Sequence, residues 1–207
     1  MESQWLSSAK KLQAIASTGL HFAKDEYDLE RYAEIGEIAQ TLLAELGDVP
    51  LDRIQKLVPE YAKSYATPMV DVRGAVFSGP HILLVRERTD GLWTLPGGYA
   101  DVGLSAAENV EKEIAEEASL SVKARKLYAL QHKAKHAYNE DVRDFYKLFF
   151  LCEQIDEAQP VAGSECMDAA FFKLDNLPQL SQGRVIREDI VAAFDHFADP
   201  MRSTVFD

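Results

Sequence analysis

The stretch from Leu95 to Leu120 constrains this chain most: a glycine-rich turn, Leu95-Pro96-Gly97-Gly98, feeds an acidic helix capped by Ser105. With Glu113 at zero and about 100° per residue, Ala106, Ala107, Val110, Ile114 and Ala118 fall between about 20° and 140°. That arc faces a core. Glu117 falls at about 40°, inside the arc; Glu113 and Glu116 lie just outside it, and Glu108 and Glu111 are expected to face water. A carboxylate pressed against apolar surface is costly unless it is paired or bound to a cation. Carboxylates at i, i+3 and i+4 also repel one another. A hard divalent ion such as Mg²⁺ takes oxygen ligands and resolves both difficulties, so a metal site outranks a solvated acidic face.

Helical spacing dominates ahead of this segment. Trp5, Leu6, Ala9, Leu12, Ala16 and Leu20 predict a first helix that ends at Gly19. A second runs from near Tyr27 to Gly47 with Leu29, Tyr32, Ile35, Ile38, Ala39, Leu42 and Leu43 as its apolar set. Pro50 and Pro59 bracket a short third helix with Ile54, Leu57 and Val58 on one side. The character changes at Pro68. Met69 to Phe77 and His81 to Val85 predict a hairpin across Ser78-Gly79-Pro80. Trp93 to Leu95, Leu120 to Gln131, Phe145 to Glu153 and Ala169 to Lys173 read as strands, and Gly183 to Phe197 as a closing helix. The expected class is α+β: a small all-helical domain over 1–66, then a mixed sheet packed by helices over 67–207.

Charge excludes one class of partner. With 22 Lys and Arg against 34 Asp and Glu, the net charge is −12, which opposes duplex nucleic acid. No apolar run approaches the roughly 20 residues of a spanning helix, and Met1-Glu2-Ser3-Gln4 lacks the features of a secretory signal. Cys152 and Cys166 have no metal-ligand spacing. A cytoplasmic protein without a membrane partner is expected.

The Gly98-to-Leu120 segment resembles the Nudix box, G-x5-E-x7-R-E-U-x-E-E-x-G-U with U aliphatic. Gly98, Glu113, Ile114, Glu116, Glu117 and Leu120 match with spacing preserved, while Leu104, Lys112 and Ser119 depart. The phrase Asp90-Gly91-Leu92-Trp93-Thr94-Leu95-Pro96-Gly97-Gly98, and the helical front with Asp28-Leu29-Glu30-Arg31-Tyr32, are similar to a subgroup related to CDP-choline and ADP-ribose pyrophosphatases. There, Leu is expected where the box has its first Glu. The resemblance implies a Nudix α/β/α sandwich with a mixed sheet. It also implies metal-dependent hydrolysis of a nucleoside diphosphate linked to a moiety X, the family's small-molecule substrate, giving a nucleoside monophosphate and phospho-X.

On the family's pattern Glu113 and Glu117 are direct metal ligands, Glu116 binds directly or through water, and the Gly97 carbonyl completes the shell for Mg²⁺ or Mn²⁺. Glu165 is the candidate general base or distal ligand. Arg86 and Arg73 are the candidate phosphate cations; Lys135 and Arg184 are weaker substrate candidates, and Tyr99 could stack on a base. Lys112 keeps a positive charge but loses the planar fork of Arg, and Ser119 is expected in a left-handed conformation. A homodimer through the helical front is expected. The rival reading is a Nudix-like module that binds a nucleotide derivative without cleaving it; retention of Glu113, Glu116 and Glu117 favours the enzyme.

Overall fold

Two kinds of backbone pairing divide the chain, helical up to Leu57 and sheet-based from Met69 onward. The structure is a computed structural model and describes residues 2–57 and 65–207. It forms two compact units. One is the chain up to Met69 together with Ala134–Asp144, and the other is Val70–Lys133 together with Phe145–Asp207.

In the first unit, α1 (Gln4–Phe22), α2 (Glu26–Leu46) and α3 (Leu51–Leu57) follow one another. Ser3 Oγ accepts the Leu6 N–H, and Asp25 accepts from Tyr27 and Asp28, so both long helices begin at side-chain caps. Leu6, Ala9, Leu43 and Ile54 form the core, with Val142 packed against it. Val58 and Pro59, and the side chain of Leu57, lie outside the described residues. Gly19 does not end α1. It lies inside the helix because a Cβ there would overlap the ring of Tyr32 on α2. Close helix approach, not termination, is its use. Lys10 reaches Glu2 at 2.8 Å and Asp144 at 3.1 Å, and the Ser3 N–H donates to Glu140 at 2.6 Å, fastening 134–144 to α1.

The second unit is a seven-stranded mixed sheet between helices. Its strands are β1 (Met69–Ser78), β2 (His81–Glu87), β3 (Trp93–Thr94), β4 (Val122–His132), β5 (Phe145–Gln154), β6 (Cys166–Phe172) and β7 (Val205–Phe206). The order is β3-β2-β1-β5-β4-β7, with β6 antiparallel to β2 off that path. Alternation along the strands builds two cores. Val72, Val76, Leu83 and Val85 pack with Val110 and Ile114 of α4 (Ala106–Ala118), while Ala75, Ile82 and Leu84 pack with Ile190 and Ala193 of α5 (Arg187–Ala198). One helix therefore covers each face, as in the expected sandwich.

Several boundaries differ from expectation, and one short strand was not expected. α5 begins at Arg187 and not Gly183, because Asp189 accepts the Ile186 N–H at 2.9 Å and the Arg184 and Val185 N–H groups turn back onto the Ser181 carbonyl. β6 starts at Cys166, since its ladder with β2 extends to Glu87. β7, parallel to β4 at Ala129 and Leu130, has two residues and carries no periodic signal.

Candidate active site

The glycine turn does not hang free. Leu95 to Ala100 runs beside the first half of β1 through Gly74 N–H to Pro96 O, Val72 N–H to Gly98 O and Ala100 N–H to Val70 O, at 2.9, 2.9 and 3.0 Å. Gly97 has φ 141°, and a Cβ there would overlap the Val72 carbonyl. Only glycine permits that approach. Across the turn, the Gly97 N–H donates to Oε2 of Glu117 at 2.8 Å, and Glu113 lies against Gly98. The turn is thus clamped between a strand and the acidic helix.

α4 holds its carboxylates as the angular count requires for Glu117, which is 6% exposed. Burial, with Glu87 and Glu113 adding to it, pushes Glu117 up to about 8 against the opposing pull of Arg73 and the Gly97 N–H. Burial also raises Glu113, with Lys112 and Arg73 opposing and Glu116 and Glu165 reinforcing. Glu116 is exposed and paired with Lys112 at 2.9 Å, which also reaches Asp101 at 3.3 Å. Glu108 closes a capping box with Ser105. Glu111 departs from the expected water-facing position: its carboxylate accepts the Ala124 N–H at 2.9 Å and pairs with Lys123, tying α4 to β4. At about 160° on the same count it borders the apolar arc, close enough to reach the sheet.

Ser119 ends α4 at φ 55°, the left-handed cap expected of it. Beyond β5 the chain returns over this end: Val161 N–H donates to Ala118 O and Gly163 N–H to Glu117 O, at 2.9 and 3.0 Å. A Cβ on Gly163 would overlap the Glu116 carbonyl. Arg88 donates to Ser164 O at 2.8 Å from the other side. This double anchorage brings the exposed Glu165 within electrostatic reach of Glu113.

The cations sit differently from expectation. Arg73 is 4% exposed, with Nε and Nη2 on the two oxygens of Asp71 at 2.8 and 3.2 Å and Nη1 on Leu95 O at 3.2 Å. Its fork is bonded to Asp71 and to the Leu95 carbonyl in the protein interior, where it supports the turn. Burial opposes its charge, but Asp71, joined by Glu117 and Glu87, outweighs burial and raises it above the ordinary range. Arg86, half-buried, donates Nε to Gly91 O at 2.8 Å. Arg184 precedes α5 and pairs with Glu87 and Asp90, both at 3.1 Å, and donates to Thr89 Oγ1 at 2.8 Å. These partners occupy its guanidinium and latch two turns together. Tyr99 is 46% exposed and stacks on Phe145 with centroids 5.7 Å apart. Lys135 lies on a 3-10 turn that belongs to the helical unit.

Three residues here escaped the sequence reading. Glu87 raises Glu117 by its charge and is held by Arg184. Asp71 and Lys147 pair at 3.1 Å beneath the turn, and Lys147 is fully buried. A lone Lys in the apolar run of β5, and Asp-x-Arg at the strand period in β1, were the available signals.

These residues fit a cation. Glu117 is buried and Glu113 half-buried, and burial first, then neighbouring carboxylates, raises the proton affinity of both, as expected of negative charge held in a site built for a cation. As the side chains stand, no three His, Cys, Asp or Glu among the described residues converge into one ligand set. Lys112 draws Glu116 outward.

Comparison with known proteins fits this geometry. A NUDIX domain matches residues 67–194, and a UDP-X-like, N-terminal oligomerisation domain matches 3–58. The chain belongs to the Nudix hydrolase family. It is 41% identical over all 207 residues, and over 99% of the relative, to YjhB of Bacillus subtilis, provisionally named an ADP-ribose pyrophosphatase. It is 31% identical over 56% of this chain, and 69% of the relative, to an ADP-ribose pyrophosphatase of Methanocaldococcus jannaschii. Among solved structures, a UDP-X diphosphatase matches both chains in full with 31% identity and TM-score 0.63. An ADP-ribose pyrophosphatase of Streptococcus suis covers 68% of this chain and 100% of its own, with 38% identity and TM-score 0.62. The protein is accordingly an enzyme, a Nudix pyrophosphatase acting on nucleoside diphosphate derivatives. No helix among the described residues is long and apolar enough to cross a membrane.

Proposed function

We propose that this protein hydrolyses ADP-ribose to AMP and ribose 5-phosphate with a divalent cation, Mg²⁺ or Mn²⁺. The observation that carries the reading is the buried Glu117 carboxylate, bonded to the Gly97 N–H beside Glu113. The names of two relatives favour ADP-ribose over CDP-choline, the competing substrate.

Glu113, Glu117 and the Gly97 carbonyl would hold the ion, with Glu116 joining directly or through water once Lys112 releases it. Bound there, a divalent ion neutralises pyrophosphate charge and lowers the pKa of the attacking water. That water adds to one phosphorus, the bridging P–O bond breaks, and the bridging oxygen leaves on the other phosphate. Glu165 takes the water's proton, held at hand by the Gly163 and Ser164 anchors. Arg86, half-buried at the end of β2, steadies a phosphate with the guanidinium nitrogens not used on Gly91. The adenine stacks on Tyr99, which Phe145 braces. Two buried free thiols, Cys152 and Cys166, suit a reducing cytoplasm.

The active species is a homodimer formed through the helical unit, whose Trp5, Ile15, Phe22, Tyr27 and Ile38 are 46–76% exposed. The oligomerisation domain matched there supports this reading.

The test is phosphate release, with alkaline phosphatase coupled, from ADP-ribose, CDP-choline and other nucleoside diphosphate derivatives, with Mg²⁺, Mn²⁺ or EDTA. Metal-dependent turnover highest on ADP-ribose is expected. Preference for another derivative overturns the substrate, and turnover undiminished in EDTA overturns the metal.

A further inference from the structure

Beneath the glycine turn lies a charged group that the proposed chemistry does not touch. Lys147 of β5 and Asp71 and Arg73 of β1 are 0, 6 and 4% exposed. Asp71 sits between the two cations, taking the Arg73 fork on both oxygens and Lys147 Nζ at 3.1 Å on Oδ2. Arg73 thereby has Nη1 left to hold Leu95 O at 3.2 Å, where the chain enters the turn. Asp71 also pairs through its backbone with Tyr99, where the chain leaves it. The trio therefore grips both ends of the segment that presents Gly97 to Glu117.

Stability alone does not explain it. Taking charged groups out of water carries a desolvation cost that can exceed their mutual attraction, and well-packed apolar replacements of buried ion pairs are often neutral or stabilising. A Met would fill the Lys147 position beside Phe149, whose ring Lys147 Nζ overlies at 5.6 Å. What an apolar side chain cannot do is fix Asp71 so that the Arg73 fork has one orientation.

We propose that Lys147 and Asp71 are positioning residues for pyrophosphate hydrolysis: they orient Arg73, and Arg73 holds the glycine turn in register with Glu117. The assignment rests on the hydrolase reading above. The trio touches no substrate; it acts through the Leu95 carbonyl on the turn, so its loss misplaces the Gly97 backbone while Arg86, bonded to Gly91 outside the turn, stays in place.

The test uses the full chain with Lys147→Met and Arg73→Lys, the second keeping charge but losing the fork. Thermal unfolding, kcat and KM are measured, together with amide exchange at Val72, Gly74 and Ala100, whose bonds tie the turn to β1. Expected is a folded Lys147→Met with kcat about tenfold lower, KM within about twofold, and faster exchange at those amides but not in α5. Arg73→Lys shows the same signature and serves if Lys147→Met does not fold. A folded variant with parental kcat and parental exchange at the turn overturns the assignment, as does faster exchange spread over the whole sheet. If the parent turns over nothing on the substrate panel, the hydrolysis reading fails by itself, and the exchange data alone then decide whether the trio positions the turn.

Discussion

The Gly97 N–H and the Glu117 carboxylate, 20 residues apart, meet at 2.8 Å and join the two halves of the site. A neutral amide keeps the size of Glu117 but removes the charge that a cation needs. Glu117→Gln is expected to fold and to lose on the order of a hundredfold or more in kcat. A variant as active as the parent in the coupled phosphate assay would remove Glu117 from the metal site.

Gly163 has no room for a side chain, because the Glu116 carbonyl occupies the space a Cβ would need. Gly163→Ala must push away the loop that carries Glu165. Activity about ten- to a hundredfold lower is expected, matched by Glu165→Gln in the same assay. If Gly163→Ala is as active as the parent, the position of Glu165 does not matter to the reaction.

Ser119 holds a left-handed conformation at φ 55° that L-residues other than Asn and Asp seldom adopt. Ser119→Gly relieves about 1 kcal/mol of strain and should raise the midpoint of thermal unfolding by a few degrees, with kcat unchanged. A lower midpoint would mean that the Ser side chain contributes more than its backbone costs.

His196 of α5 is fully buried, and neither ring nitrogen has a hydrogen-bond partner among the described residues. Burial first, then Lys126 and Arg202, push its pKa down, against Asp195 and Asp199. The folded state therefore prefers the neutral ring, while the unfolded chain takes a proton as pH falls through about 6.5. Its contribution is fully present above that value and is lost as pH drops toward the folded pKa. Thermal midpoints of the parent should fall between pH 7 and pH 5 more steeply than those of His196→Leu. Parallel profiles would assign the acid sensitivity elsewhere.

Oligomerisation is best tested by point substitution. Removing the front at Pro68 would strip Leu43 and its neighbours from Val142, so such a fragment changes more than the interface. Ile15→Glu and Ile38→Glu, both at exposed positions, are expected to convert a dimer to a monomer in light scattering after size exclusion. A dimer retained in both variants places the interface on another surface.

Local spacing determined a good deal of this protein. Helical periodicity fixed α1 and α2, alternation fixed the β1–β2 hairpin, and the angular position of Glu117 made its burial legible, because each depends on residues within one or two turns or strand repeats. Ser119 was legible for the same reason: a helix must end in few ways. Tertiary structure decided what distant residues do to one another. The sequence shows an Arg at 73, but only the fold sets its fork on Asp71 and the Leu95 carbonyl and brings Lys147 of β5 to the same Asp71. Gly19 reads as a stop until α2 brings Tyr32 against it, and Glu111 reads as solvated until β4 offers the Ala124 N–H. A side chain's partners are set by which elements fold together, and burial then makes those pairings obligatory, since an unpaired charge there costs several kcal/mol.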